Sequence, residues 1–234
     1  MNTKLLTGSI GLALIGAMLV GGGVARGQPA GPPAGYKIDP QYTVKSPDGS
    51  TTIEQYSRTD ADGDYTWQFW ARHGGTLTML PPEQPDYSAG FRFTANSQWL
   101  IRLQKIGAGE QSLYLYRLES QKFVAATATP LSELAWSYFN SLPFSRKIRK
   151  PDLHITSDLV KGADDNYRWM GENWPDSRYL VIALSGEVSP TKRHGQLQSL
   201  RGWRCRYDVV TGKFDVPADF ATNNKKATAP AANK

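Results

Sequence analysis

A chain of 234 residues with 40% hydrophobic and 21% charged residues has enough apolar material for one domain with a sizeable core, or two small ones. Its 27 basic against 21 acidic residues give a formal charge of +6, which leans toward anionic partners such as acidic polysaccharide or lipid headgroups and does not argue for nucleic acid. The single cysteine, Cys205, excludes an internal disulfide, so the domain must be held by its core.

Residues 1–27 read as a secretory signal peptide. Lys4 supplies the positive start, Leu5 to Val20 form an uncharged, mostly apolar run, and small residues dominate from Gly21 to Gly27. Gly23-Val24-Ala25 and Ala25-Arg26-Gly27 both suit a signal peptidase. The rival reading is an uncleaved anchor, because the uncharged stretch extends to Ala25 and a spanning helix needs about 20 apolar residues. Lys4 stays cytoplasmic under either reading, so the rest of the chain is expected to be exported, to the periplasm or the exterior. No cysteine lies near the exit, and a lipid anchor is not expected. Without residues 1–27, which hold Lys4 and Arg26 and no acid, the formal charge falls from +6 to +4.

Residues 28–35 form a Pro/Gly linker, and 36–221 are expected to be the single folded domain. That domain carries an internal near-repeat. Each unit opens on a turn: Ser46-Pro47-Asp48-Gly49-Ser50, Thr94-Ala95-Asn96-Ser97-Gln98, then Trp174-Pro175-Asp176-Ser177-Arg178. Proline presets φ, and Asp or Asn ties back to the local backbone. A strand follows each turn: Thr51 to Tyr56, Trp99 to Leu103, Tyr179 to Leu184. The last is apolar throughout, as a strand covered on both faces would be. Second strands run from Tyr65 to Ala71, Leu113 to Leu118 and Trp203 to Val209, and their aromatic content favours strand over helix.

The first two turns lie 48 residues apart and the second and third 80, so about 30 residues are inserted between units two and three. The insert holds a helix expected over Pro130 to Leu142, with Leu131, Leu134, Ala135 and Tyr138 on one face, Thr129 as N-cap and Pro130 at the first helical position. Residues 222–234 contain no large apolar side chain and are expected to be a disordered tail. The fold class expected is therefore mainly β: three blade-like antiparallel meander units with one inserted helix.

Ser46-Pro47-Asp48-Gly49, the strand from Leu113 to Leu118 and Tyr207 to Lys213 together resemble the repeats of the Tol-type periplasmic β-propeller proteins, and the chain also looks like small exported bacterial proteins of unassigned function. The resemblance covers about 150 residues, implies β-meander blades and a binding role, and carries over no catalytic residue. Three units are fewer than the usual ring of about 4–8 blades. An incomplete propeller, packed sheets, a curved sheet closed by the helix, or a ring completed by a second copy all remain open.

Asp60, Asp62 and Asp64 are the nearest approach to a metal motif, since alternate carboxylates on a curled loop suit calcium. Gly63 stands fourth and Ala71 twelfth, however, where a helix–loop–helix calcium loop wants glycine sixth and glutamate twelfth, and a polar hairpin tip explains the run as well. His73, His154 and His194 share no ligand spacing. No serine stands in a nucleophile motif. Glu110, Glu172 and Glu187 suit glycoside chemistry only if folding pairs two of them. Arg146, Lys147, Arg149 and Lys150 form a candidate patch for an anionic ligand or a membrane surface, against the simpler reading of a solvated loop. Cys205 reads as a buried thiol, with activation by Arg204 and Arg206 as the alternative. The seven tryptophans read mainly as core.

These features point to an exported binding protein contacting protein or anionic polysaccharide of the cell envelope, without nucleic acid and without a cofactor unless calcium. The membrane would be met only through an uncleaved amino-terminal segment, and oligomeric state is left open. The alternatives are a wall or polysaccharide hydrolase with paired carboxylates and a calcium-stabilised structural module.

Overall fold

The computed structural model describes residues 31–83, 86–148, 150–160, 177–189 and 200–229. Those residues fold as a mainly β protein of two sheets and two α-helices. The first sheet is built on β3 (Thr51–Thr59), β4 (Tyr65–His73) and β5 (Thr76–Met79), with the short β1 (Lys37–Ile38) and β2 (Val44–Lys45) both on β3. The second unit is β6 (Ala89–Phe93), β7 (Trp99–Gly107), β8 (Glu110–Glu119) and β9 (Lys122–Ala125). Helix α1 (Leu131–Ser141) precedes the third unit, β10 (Leu153–Val160), β11 (Tyr179–Glu187), β12 (Leu200–Asp208) and β13 (Lys213–Asp215). Helix α2 (Ala221–Ala227) follows. Units two and three are not separate: β10 pairs parallel with β8 at Thr156 and Gln111, joining them into one eight-stranded sheet. Every other strand pair is antiparallel.

The middle unit is covered on both faces. On β7, Leu100, Arg102 and Gln104 alternate with Ile101 and Leu103, and all five are fully buried. Leu100 joins Phe69, Phe91, Phe93, Tyr116 and Phe123 in the core shared with the first sheet. Ile101 and Leu103 join Leu113, Leu180, Ile182, Leu184 and Trp203 in the core under α1. The doubly covered strand is thus β7 rather than β11, whose Leu180, Ile182 and Leu184 face the core while Tyr179 and Val181 stay half-buried. The polar residues of β7 mask this in the sequence. Arg102 lies over the rings of Phe69 (4.9 Å) and Tyr114 (4.4 Å) and donates to the carbonyls of Leu80 (3.4 Å) and Pro82 (3.0 Å). Burial lowers its pKa from the usual guanidinium range.

The first two unit turns are copies. Ser46 and Thr94 each form a hydroxyl bond of 2.7 Å to the side chain two residues on, Asp48 or Asn96. Each also accepts from the N–H five residues on, Thr51 at 2.9 Å and Trp99 at 3.0 Å. The following residue has positive φ in both: Gly49 at 71° and Ser97 at 58°. Successive turns then interlock, because Asp48 N–H donates to Ser97 Oγ and Asn96 N–H donates to Ser177 Oγ, both at 3.2 Å.

Two expectations need correction. Thr129 does not cap α1, whose N-cap is Pro130 without a side-chain bond, and the deepest positions are Leu131, Ser132, Ala135 and Phe139. The chain after 221 is not a structureless tail as far as 229. Residues Ala221–Ala227 form α2, held less by apolar burial than by asparagines on the outer edge of β12. Asn224 Oδ1 accepts from Arg204 N–H at 2.7 Å and its Nδ2 donates to Arg204 O at 2.8 Å, while Asn223 Nδ2 donates to Gly202 O at 2.8 Å. Among the described residues β13 pairs β12 only from Arg206 to Asp208, and these side chains bond the strand edge beyond it.

Candidate functional site

A cleft with a mixed polar and apolar lining lies where α1 crosses the β8–β10 seam. It encloses about 480 Å³. The amphipathic turn of α1 sets one wall, and Ser132 on its buried side meets Ser112 of β8 hydroxyl to hydroxyl at 2.6 Å. Gln111 ties the floor across the seam, its Nε2 donating to Ser157 O (3.3 Å) and Asp158 Oδ1 (2.6 Å). Burial pushes the Asp158 carboxyl above its usual range, against the bonds from Thr156 and Gln111, which hold it down.

Two polar groups in this lining have no hydrogen-bond partner among the described residues. Ser157 is fully buried with Oγ unbonded, and Trp136 presents a buried, unbonded indole N–H. A buried polar group left unpaired costs about 1–3 kcal/mol, so both groups are polar points set just under the surface of the cleft. Glu110, Glu133 and Lys150 add charge to the same lining, and Asn140 adds an amide. Beside the cleft, His154 sits at φ 49° in a bulge between Leu153 and Thr156, with Nδ1 3.5 Å from Glu187 Oε2. Gly109 suits this corner because its φ of 75° lies in the left-handed region, and a Cβ there would also press on the His154 ring at 2.6 Å.

The four-residue basic run is divided. Lys150 lines the cleft, Arg146 and Lys147 are exposed on the 3-10 turn Pro143–Lys147 away from that lining, and Arg149 lies outside the described residues. Asp60, Asp62 and Asp64 are all exposed. Asp60 Oδ1 accepts from the N–H groups of Asp62 (3.0 Å) and Asp64 (2.9 Å), forming the tip of the β3–β4 hairpin. Among the described residues, no three carboxylate, imidazole or thiol groups are grouped to hold a metal ion. Glu110 reaches the cleft and Glu187 does not line it, while Glu172 and His194 lie outside the described residues. His73 Nδ1 bonds Thr51 Oγ1 at 2.7 Å at the end of β4. Cys205 is buried and its thiol is pushed up to about 12 by burial, which removes the activated-thiol alternative. Trp70 and Trp203 are fully buried. Sequence reading missed Ser157, Glu133 and the role of the Trp136 edge, because only the parallel β8–β10 contact and the overlying helix bring them together.

Among the described residues no helix is long and apolar enough to cross a membrane. No protein-family model and no curated protein matches the chain. Solved structures similar to the chain include two with β-rich folds. One is TolB from Acinetobacter baumannii, at 14% identity and a TM-score of 0.29, with 77% of this chain and 32% of that one covered. The other is a puromycin-hydrolyzing peptidase from Mycobacterium tuberculosis, at 12% identity and a TM-score of 0.36, with 79% and 32% covered. The chain spans about a third of the length of either.

Proposed function

We propose that this chain is a non-catalytic binding module acting outside the cytoplasm, and that its cleft takes a neutral polyhydroxylated ligand such as a segment of envelope glycan. The observation that carries the reading is the pair of unsatisfied buried groups, Ser157 Oγ and the Trp136 N–H, in a lining that also offers the Ser112–Ser132 hydroxyls and Asn140. Sugars present hydroxyls that both donate and accept, and an aromatic edge with serines and an amide matches that chemistry. Two carboxylates against one ammonium in the lining, Glu110 and Glu133 with Lys150, favour a neutral ligand over an anionic one at this cleft. The signal-like residues 1–27 support export.

Isothermal titration with neutral oligosaccharides, an N-acetylglucosamine tetramer and maltotetraose, against polygalacturonate as the anionic control, tests the reading. Saturable binding of a neutral oligosaccharide, weakened about tenfold or more by Ser157→Ala or Trp136→Phe, is expected, each variant losing one ligand hydrogen bond worth about 1.5 kcal/mol. Binding that both variants leave intact contradicts it.

A second reading is favoured by one observation: Glu110 and Glu133 share the cleft, as the acid and base of a glycoside hydrolase must. Release of reducing ends from the same oligosaccharides, abolished by Glu133→Gln, would establish that reading over the first.

A further inference from the structure

A second recess lies on another part of the molecule, between the carboxyl end of α1 and α2, and encloses about 520 Å³. We propose that it docks an acidic peptide segment of a partner protein through large apolar side chains. Its lining is aromatic and aliphatic: Tyr138 and Leu142 of α1, Phe144 of the following 3-10 turn, Trp203 of β12, and Val216 before α2. Phe144 and Val216 are 40% and 38% exposed, an apolar surface that the described residues leave uncovered. The rings behind it are locked: Trp203 lies 4.9 Å from Phe139 and 6.1 Å from Phe144, and Tyr138 stacks on Phe214 at 5.3 Å. A preorganised aromatic floor of this kind is what an inserted anchor side chain needs.

Charge identifies the occupant. Arg146 and Lys147 follow Phe144 in the same 3-10 turn, Lys225 lines the recess, and Lys226 stands next to it on α2. None of these four cations forms an ion pair among the described residues. The acids nearby in the chain are Asp219, exposed on the turn before α2, and Asp215, which is engaged by Arg206. An apolar recess lined by Lys225, with Arg146, Lys147 and Lys226 close in the chain to its lining residues, complements a segment that alternates acidic with large apolar residues. Membrane binding fits less well, since bilayer insertion needs apolar side chains that project beyond the surface, whereas these line a hollow between two helices.

The test uses the full chain and fluorescein-labelled synthetic peptides of about a dozen residues, one of Glu interspersed with Leu and Phe, the other with Lys replacing every Glu. Anisotropy is expected to show saturable binding of the acidic peptide, about tenfold or more tighter than the lysine peptide and weakening as salt is raised. The double variant Arg146→Glu with Lys225→Glu, and separately Val216→Asp, should each weaken it about tenfold while circular dichroism and oligosaccharide binding stay unchanged. No saturable binding, or equal affinity for both peptides, overturns the proposal. So does sedimentation with phosphatidylglycerol vesicles in place of peptide binding, which would assign the recess to a membrane. Because the oligosaccharide titration is read separately, loss of one activity does not disguise loss of the other.

Discussion

Asp48 and Asn96 do the same work 48 residues apart, each bonding the hydroxyl two residues before it and the N–H two residues after it. That much was legible from the Pro-Asp-Gly chemistry of the turns, which is local. The consequence for acid stability depends on charge. The Ser46 hydroxyl, and next the Ser50 N–H, hold the Asp48 carboxyl down at about 2. A free aspartate titrates near about 3.9, so the unfolded state takes up protons first. The contribution of Asp48 is therefore complete above about pH 4 and disappears as pH falls through about 2. Replacing it with Asn, the residue of the second turn, should keep the turn and flatten the acid side of the stability curve, as measured by urea unfolding between pH 2 and pH 6. Asp158 has the opposite sign, since its raised pKa makes its ionisation a cost to the folded state that grows as pH rises above the unfolded value. Asp158→Asn should raise stability at pH 7 and lose that advantage in acid. Ser157, its neighbour, was not legible at all. Nothing in the local sequence says that its hydroxyl ends up buried and unbonded. Ser157→Ala should therefore leave the melting temperature unchanged or raised while binding falls, because removing an unsatisfied buried hydroxyl relieves about 1–3 kcal/mol of desolvation.

At the scale of elements, the strands and α1 followed from period and composition, and α2 did not. A helix with the sequence Ala-Thr-Asn-Asn-Lys-Lys-Ala offers no apolar stripe, and Ala227 is its only buried residue. What fixes it is side-chain bonding from Asn223 and Asn224 to a strand edge, and no periodicity reports that. Asn224→Ala should cost about 1–3 kcal/mol, since the Arg204 N–H and carbonyl both lose their partner. It should also expose the β12 edge, so that concentration-dependent association in analytical ultracentrifugation rises relative to the parent. An unchanged monomer with unchanged stability would show that the helix does not guard that edge.

At the scale of the molecule, the repeat predicted meander units but not how they join. Units one and two stack face to face through an aromatic core, whereas units two and three also share a sheet through β8 and β10. The inserted residues make the difference, because α1 and the following turn deliver β10 alongside the first half of β8 while β9 occupies the second half. That seam, with α1 laid over it, creates the cleft, so the site belongs to the departure from the repeat rather than to the repeat itself. The most direct test of this account observes the Trp136 indole N–H by proton–nitrogen NMR while a neutral oligosaccharide is added. This resonance should shift saturably as the N–H gains an acceptor, and Ser157→Ala should weaken the response. A Trp136 signal that stays fixed while the sugar binds elsewhere, or no binding by any neutral oligosaccharide, would contradict it.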